Sequence, residues 1–148
     1  MISTAQAAVQ APKTNAGPDE ELLGKAVAAA RNAYAPYSRF RVGAALRARS
    51  GATYVGANVE NVSFPIGSCA ETAALAAART VEGEALEVQS VLVYAETKIG
   101  EQRPCSPCGA CRQRLLEFGP DIRVTFLTDS EGWTTASAHA LLPFAFRF

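Results

Sequence analysis

The stretch Arg39-Phe40-Arg41-Val42-Gly43-Ala44-Ala45-Leu46-Arg47-Ala48-Arg49 decides the fold. From Phe40 to Ala48 its apolar side chains occupy every second position, and arginines take alternate positions on the other face. Because successive side chains of a strand point to opposite faces, this pattern predicts a β-strand with one buried face. We expect the arginine face to be open to solvent or to a subunit contact. Ser50-Gly51 then predicts a turn, and Thr53 to Asn58 the returning strand of a hairpin.

Helices and strands alternate on both sides of this hairpin. Gly17-Pro18, followed by acidic residues, predicts a helix that begins at the proline and runs to about Asn32. The remaining predicted elements are a helix over Cys69 to Arg79, a strand over Val88 to Ala95, a helix over Pro107 to Phe118 and a strand over Ile122 to Leu127. This order indicates an α/β layer architecture.

Length and composition indicate one domain. Residues 1–17 are rich in Ala, Gln, Thr and Pro and predict a flexible tail, which leaves residues 18–148 as a single domain. The tail lacks the features of a secretion signal, and no run of about 18 apolar residues predicts a membrane span. We therefore expect a cytoplasmic protein without a membrane partner.

The charge balance argues against a nucleic-acid partner. The chain carries 14 basic and 14 acidic residues, so its net charge is zero. A protein that holds a polyanion needs a positive field, which this composition does not supply. A small or neutral ligand is favoured instead.

Four cysteines are spaced for metal chemistry, because a reducing compartment disfavours disulfides. Cys69, Cys108 and Cys111 supply three sulfurs, and catalytic zinc takes three protein ligands plus water. Cys69 and Cys108 also fall at predicted helix N-termini, where the helix dipole favours a thiolate. The spacing therefore predicts a zinc site.

Glu71 follows Cys69 by two positions and can stand beside the metal without binding it. Zinc lowers the pKa of water, and a neighbouring carboxylate can take the proton and return it to a leaving group. Cys69-Ala70-Glu71 together with Pro107-Cys108-Gly109-Ala110-Cys111 has the spacing of zinc deaminases that act on bases. This pattern predicts hydrolytic deamination with Glu71 as the proton shuttle.

Two other residues are candidates for the site. Cys105 could complete a four-cysteine structural zinc site or hold a cluster, although we favour a small, buried apolar residue. His139 is the only histidine, and we expect it at the surface or at a helix end.

With these residues placed, the chain resembles the cytidine deaminases of the short, three-cysteine, homotetrameric kind from about Asp19 to Phe146. The resemblance lies in several segments in the same order: Ala33-Tyr34-Ala35-Pro36-Tyr37-Ser38-Arg39-Phe40, Val42-Gly43-Ala44-Ala45-Leu46, Asn58-Val59-Glu60-Asn61, Cys69-Ala70-Glu71, Ser106-Pro107-Cys108-Gly109-Ala110-Cys111-Arg112-Gln113 and Leu141-Leu142-Pro143. It implies a three-layer α/β/α sandwich with a five-stranded mixed sheet, one Zn²⁺ per subunit and a homotetramer with sites near subunit boundaries.

The resemblance also implies how a cytidine or deoxycytidine substrate is held. Asn58 and Glu60 would bind the ribose hydroxyls, and Phe40 would form a wall against the pyrimidine. Ala70 would offer its backbone N–H to the base carbonyl. Phe146, with Phe64 and Val62, would reach a neighbouring subunit's pocket.

Two departures from the family pattern bear on the chemistry. The family usually has an arginine after Cys-Ala-Glu that donates hydrogen bonds to the zinc-bound thiolates, whereas this chain has Thr72. We hypothesise that Arg112, helix dipoles or backbone N–H groups compensate. The second departure is Phe64, where many relatives have a tyrosine, so the sugar preference is expected to shift.

Three other functions compete with this interpretation. Blasticidin S deaminases are similar enough to be the nearest enzymatic alternative, although Asn58-Val59-Glu60-Asn61 favours ordinary nucleosides. A structural zinc or interaction module would need no Glu71. An editor of single-stranded polynucleotides would need a basic channel and a salt-sensitive affinity.

Overall fold

The protein is described here by a computed structural model of residues 16–148. Most of the predicted tail, residues 1–15, lies outside the described residues. The elements in chain order are α1 (Glu20–Arg31), β1 (Arg41–Ala48), β2 (Thr53–Ala57), α2 (Ala70–Glu82), β3 (Val88–Glu96), α3 (Gly109–Phe118), β4 (Arg123–Thr128), β5 (Gly132–Ser137) and α4 (Ala138–Leu141).

One sheet contains all five of these strands, in the order β2-β1-β3-β4-β5. Strand β1 is antiparallel to both β2 and β3, and β4 is antiparallel to β5. Strands β3 and β4 are parallel, because α3 carries the chain back across the sheet between them. The predicted five-stranded mixed sheet is confirmed.

Helices cover both faces of the sheet and create two cores. On one face α1 buries Leu22, Ala26 and Ala30 against Ala45 and Leu92. The core on the other face joins α2, α3 and α4 to the sheet and is built on side chains such as Leu46, Ala74, Leu75, Val91, Val93, Leu115 and Val124. The predicted three-layer α/β/α sandwich is therefore confirmed.

Glycines allow both helix layers to approach the sheet closely. A Cβ atom at Gly43 would lie 1.9 Å from the backbone oxygen of Ala26 in α1. A Cβ atom at Gly56 would lie 2.3 Å from the backbone oxygen of Ala70 in α2. Any side chain at these two positions would force a helix away from the sheet, because the obstructing atoms belong to the backbone.

The prediction that the arginine face of β1 is open was wrong. Helix α1 packs on this face, and Ala45 is completely buried there. Arg47 forms ion pairs with Asp19 and with Glu21, the latter at 2.7 Å. At the other end of β1, Arg41 lies 3.1 Å from the buried Glu96 carboxylate. The arginines therefore neutralise acidic groups around the covering layer.

The predicted element boundaries are mostly correct within a few residues. Helix α1 begins at Glu20 and not at Pro18, because the Asp19 side chain accepts a hydrogen bond from Leu22 N–H and caps the helix. Residue patterns did not predict β5 or α4. No helix among residues 16–148 is long and apolar enough to cross a membrane.

Candidate active site

Two helix N-termini meet at one end of the sheet and carry the predicted metal ligands. Cys69 is the N-cap of α2, and Cys108 is the N-cap of α3. Cys111 lies in the first turn of α3 and is buried. Paired backbone hydrogen bonds of 2.9 Å between Val59 and Ser68 hold the chain just before Cys69. The fold thus brings cysteines from separate segments together.

The geometry of the three sulfurs fits a zinc ion. The Sγ atoms of Cys69, Cys108 and Cys111 all lie within 4.8 Å of one another. The Cys69 and Cys108 sulfurs are 3.8 Å apart. A tetrahedral zinc with Zn–S bonds of about 2.3 Å requires sulfurs about 3.8 Å apart. The donor set is therefore compatible with zinc held by three protein ligands.

Cys105 is not part of this group of three sulfurs in the described chain. Its backbone N–H donates to Leu127 at 3.0 Å, which ties the loop before Cys108 to β4. Burial raises the pKa of the Cys105 thiol to about 11. Because the Cys105 sulfur lies outside the three-sulfur group, the four-cysteine alternative lacks its fourth ligand.

The electrostatics of the group favour a shared cation. Burial and then the charge of Cys108 raise the pKa of Cys69, and burial and then the charge of Glu71 raise the pKa of Cys111. Burial alone would raise the pKa of Cys108, but hydrogen bonds with the backbone and side chain of Cys111 and with Cys69 lower it overall. Three thiolates are stable in so small a volume only when a cation neutralises them.

Glu71 lies in the first turn of α2 beside this cation site. It is only 5% exposed, and burial raises the pKa of its carboxyl group above the usual range for glutamate. A carboxylate with a raised pKa is a stronger base than one in water and accepts a proton more readily. Glu71 is therefore suited to carry a proton next to the metal ligands.

A cavity of about 620 Å³ opens over the sulfurs and Glu71. Its described lining contains acidic and amide side chains and no lysine or arginine. The lining residues are Tyr37, Ser38, Val42, Asn58, Val59, Glu60, Asn61, Phe64, Gly67, Ser68, Cys69, Ala70, Glu71, Cys105, Ser106 and Cys108. The volume suits a drug-sized organic molecule, and the charge distribution disfavours an anionic one.

The structure brings Asn58 and Glu60 into the cavity wall and gives both of them partners within the protein. Asn58 Oδ1 accepts from Val42 N–H at 2.8 Å, and Asn58 Nδ2 donates to the Phe40 carbonyl at 2.9 Å. Glu60 accepts from Tyr37 N–H at 2.9 Å, and the Ser38 hydroxyl lowers the pKa of its carboxyl group. Each side chain keeps hydrogen-bonding capacity for a ligand.

Two other predicted substrate contacts lie outside the described cavity wall. Phe40 is half-buried, and its backbone rather than its ring connects to the wall through Asn58. Phe146 lies near the end of the given sequence and is 70% exposed. Its backbone carbonyl accepts a hydrogen bond from Gln113 Nε2 at 3.2 Å. Neither ring lines the cavity of a single chain.

The two residues expected to balance the zinc charge have different contacts. Thr72 Oγ1 lies 3.8 Å from Cys111 Sγ, so a hydroxyl does reach a ligand sulfur. Arg112 turns away and donates to the Pro107 carbonyl at 2.8 Å and to the Leu141 carbonyl at 3.0 Å. The Arg112 guanidinium thus holds the loop before Cys108. None of its hydrogen bonds in the described chain goes to a sulfur.

Ser38 is a cavity residue that the sequence patterns did not single out. Its hydroxyl donates to Glu60 Oε1 and accepts from Phe40 N–H at 3.0 Å. Ser38 and Glu60 are 22 residues apart, so no local spacing connects them. The only signal in the sequence that connects them is that both residues lie in segments that resemble the cytidine deaminases.

Comparisons with known proteins agree with this site. Residues 17–128 match the family model described as "Cytidine and deoxycytidylate deaminase zinc-binding region". The cytidine deaminase of Halalkalibacterium halodurans is 42% identical over 126 residues, which cover 84% of this chain and 91% of that relative. The cytidine deaminase of Sporosarcina psychrophila is 39% identical over 128 residues, which cover 86% of this chain and 90% of that relative.

Solved structures extend the similarity to the fold. The crystal structure of cytidine deaminase from Burkholderia pseudomallei superposes with a TM-score of 0.74 at 40% sequence identity, covering 88% of this chain and 100% of that chain. The cytidine deaminase from Mycobacterium tuberculosis gives a TM-score of 0.73 at 35% identity, with 87% and 97% coverage. The chain belongs to the cytidine and deoxycytidylate deaminase family. The zinc-binding family and the three-cysteine group together are consistent with one zinc ion per subunit of a hydrolase.

Proposed function

We propose that this protein catalyses the hydrolytic deamination of cytidine, deoxycytidine or both, giving the uracil nucleoside and ammonia. The observation that carries the proposal is the buried Glu71 beside three convergent sulfurs at the floor of the cavity. The names of the relatives support cytidine as the substrate. A structural zinc module would not need a buried carboxylate next to the metal.

The chain's own residues account for the proton movements. Cys69, Cys108 and Cys111 would hold a zinc ion, which would provide a nucleophile at neutral pH by lowering the pKa of water. Glu71 takes a proton from the attacking water, whose oxygen bonds to C4 of the ring, and delivers it towards the departing amino group. The C4–N bond then breaks and ammonia leaves, while the remaining proton of the added water moves to ring N3, so that a carbonyl remains at C4. The burial of Glu71 keeps bulk water from competing for this proton.

Ala70, Asn58 and Glu60 are proposed to orient the nucleoside. Ala70 is the first residue of α2, so its N–H has no acceptor within the helix and can bind the base carbonyl. Asn58 and Glu60 are proposed to bind the sugar hydroxyls from the cavity wall. Phe40 is proposed to support the pyrimidine from behind the cavity wall. Its backbone carbonyl accepts a hydrogen bond from the Asn58 amide, which fixes its position there.

The charge of the cavity supports a free nucleoside over a nucleotide. Its described lining contains Glu60, Glu71, Cys69 and Cys108 but no cationic side chain. A phosphate group there would have no charged partner, and an unpaired charge in a partly closed cavity is costly. The same argument disfavours polynucleotides, which need a basic channel.

We also propose a cytoplasmic homotetramer. Large apolar side chains remain exposed beside the cavity and at the chain end, including Val62 at 77%, Phe64 at 73% and Phe146 at 70%. Exposed apolar groups of this size typically mark interfaces, and Phe146 is proposed to reach a neighbouring subunit's site. The four free cysteines agree with a reducing compartment.

A spectrophotometric assay tests the proposal. The loss of the cytosine absorption band is followed with purified zinc-loaded protein on cytidine, deoxycytidine, blasticidin S, deoxycytidylate and a short single strand. We expect turnover of at least one free pyrimidine nucleoside and little turnover of the phosphorylated substrates. Inactivity on both nucleosides would contradict the proposal, and turnover of blasticidin S alone would reassign the substrate.

Glu71→Gln separates proton transfer from metal binding. The amide keeps the shape of the carboxyl group but cannot shuttle a proton, so kcat should fall by about 10²-fold or more. Zinc content, measured by atomic emission, should stay at one ion per chain because Glu71 is not a ligand. Glu117→Gln, on the outer surface of α3, is the matched control and should leave kcat unchanged. A fast Glu71→Gln variant would show that another group moves the proton.

A further inference from the structure

Ser38 sits at the centre of a hydrogen-bond network on the sugar side of the cavity. Its hydroxyl donates to Glu60 Oε1, and its backbone N–H donates to Glu60 Oε2 at 3.2 Å. Tyr37 N–H adds a further bond to Oε2 at 2.9 Å. A carboxylate offers about four lone-pair sites, so these three donors leave about one site for a ligand. The remaining acceptor site has a fixed direction.

The same hydroxyl also stabilises an unusual backbone turn. Arg39 has φ of 57°, in the left-handed region that side-chain-bearing residues avoid. Ser38 Oγ accepts a hydrogen bond from Phe40 N–H at 3.0 Å, so this bond bridges Arg39. Arg39 N–H donates to Ala35 at 3.0 Å and closes the turn from the other side. A strained turn of this kind persists only where surrounding contacts hold it, and here the Ser38 hydroxyl links those contacts to Glu60.

We infer that Ser38 is a positioning residue that aims the Glu60 carboxylate at one sugar hydroxyl, and that it thereby sets how strongly the enzyme distinguishes nucleosides with that hydroxyl from those without it. The inference rests on the proposed function, which gives Glu60 a sugar hydroxyl to bind. An analogue that lacks the hydroxyl leaves the Glu60 acceptor without a hydrogen-bond partner. The site therefore discriminates strongly against that analogue.

The test compares variants on a matched set of substrates. Ser38→Ala removes the hydroxyl but keeps the two backbone donors to Oε2, whereas Ser38→Thr keeps the hydroxyl. Ser50→Ala is the matched control, because Ser50 Oγ likewise donates to a glutamate, Glu82, at 2.6 Å and accepts from the N–H two residues later, at 3.3 Å. It lies in the turn between β1 and β2, outside the cavity wall.

The values of kcat and KM are measured on cytidine and on its 2′-, 3′- and 5′-deoxy analogues. We expect the wild-type protein to lose about tenfold or more in kcat/KM on the analogue that lacks the hydroxyl bound by Glu60. Ser38→Ala should lose about tenfold on cytidine, mainly through KM, and less than about twofold on that analogue. Ser38→Thr should recover most of the discrimination, and Ser50→Ala should match the wild type.

Two results would overturn the inference while leaving the proposed function intact. One is an equal loss of kcat/KM on cytidine and on every analogue, which indicates a general effect of Ser38 on the fold. The other is unchanged discrimination in Ser38→Ala. Inactivity of the wild-type protein on all four substrates would instead remove the proposed function, and this inference with it. If Ser38→Ala does not fold, as judged by its thermal melt, Ser38→Gly removes the same hydroxyl and takes its place.

Discussion

Thr72 directly follows Cys69-Ala70-Glu71 and contacts one of the proposed ligand sulfurs. Its hydroxyl lies 3.8 Å from Cys111 Sγ and can donate a hydrogen bond to a thiolate. Such a donor withdraws charge from the sulfur and offsets the negative charge of three thiolates on one Zn²⁺. Arg112, the charged alternative, is engaged with backbone carbonyls. We therefore propose that Thr72 carries this role with a neutral group.

Thr72→Val removes the hydroxyl at nearly constant volume. We expect zinc to bind about tenfold more weakly, measured by competition with a coloured chelator. Thr72→Arg should strengthen zinc binding, because a guanidinium is a charged hydrogen-bond donor to the sulfurs. A groove of about 410 Å³ beside Thr72 offers space for this longer side chain. Thr80→Val is the control on the same helix, because Thr80 Oγ1 donates only to the Ala76 carbonyl. Equal zinc affinity in all four proteins would contradict this role of Thr72.

At the residue scale, the proposed metal ligands and proton carrier could be proposed from the sequence because short spacings carry their chemistry. Cys108 and Cys111 share one helical turn, and Cys69 and Glu71 share another. The contacts of Asn58 and Glu60 with the backbone around Phe40 were not predictable. They depend on strands and loops about 20 residues apart, and only the folded sheet brings these together.

At the scale of elements, the position of α2 depends on Gly56. A Cβ atom there would lie 2.3 Å from Ala70 O and 2.4 Å from Ala74 N. Because both obstacles are backbone atoms, Gly56→Ala must shift the helix that carries Cys69 and Glu71. We expect a loss of about 2 kcal/mol in stability, or roughly 4–8 °C in Tm, together with lower kcat.

Gly24→Ala is the matched control for this substitution. Gly24 lies within α1, and a Cβ atom there meets nothing within 4 Å. Alanine should raise the stability by about 0.5–1 kcal/mol, because glycine is the poorer helix former. Thermal melts and steady-state kinetics on both variants check the pair. A Gly56→Ala protein with wild-type Tm and kcat would show that α2 has room to adjust.

Asp19 links the start of α1 to β1. The Arg47 guanidinium, and then the Leu22 N–H, hold the pKa of the Asp19 carboxyl below its ordinary value of about 3.9. A lowered pKa in the folded state stabilises the protein above the unfolded value. This stability is lost as the pH falls through the lower folded value, so the affected window lies below about pH 4.

Asp19→Asn separates the ion pair from the helix cap. Asparagine caps a helix well but has no charge, so near pH 7 we expect a loss of about 0.5 kcal/mol that shrinks in high salt. The difference from the wild type should vanish as the pH falls below about 4. Asp19→Ala should lose about 1 kcal/mol more at pH 7, because it also removes the cap. Urea unfolding across pH 3–7 measures these differences, and one that does not depend on pH would contradict the ion pair.

The alternation in β1 correctly predicted a strand but not what covers its second face. Alternation reports where polar side chains lie, and it cannot tell open solvent from an acidic helix N-terminus packed over the arginines. Strand β5 was missed from the residue pattern because Gly132–Ser137 is short and rich in Thr and Ser. Its place in the sheet comes from pairing with β4, a contact that the fold determines.

At the scale of the whole molecule, the metal site ties together segments that are distant in sequence. Cys69 starts the helix after β2, and Cys108 starts the helix after β3. A ligand that binds only the folded chain adds stability in proportion to the logarithm of its concentration. Zinc is therefore expected to stabilise the entire domain as well as to serve catalysis.

Removing zinc with a strong chelator should lower Tm substantially, and adding zinc should restore it. Cys105→Ala is the discriminating variant, because Cys105 lies outside the three-sulfur group. It should keep the full chelator-dependent shift, whereas Cys111→Ala should lose it. Differential scanning fluorimetry measures both. Loss of the shift in Cys105→Ala would restore the four-cysteine alternative.

The spacing of the three ligands has a consequence for the order of events during folding. Cys108 and Cys111 are close in the chain, so an unfolded chain can hold a metal ion weakly between them. Cys69 is 39 residues from Cys108, and the chain between them includes β3, which pairs with β1 in the sheet. Closing that loop has an entropic cost that the paired strands must first offset. We therefore expect complete metal coordination late in folding, and its spectroscopic signal would time the moment at which the active site forms.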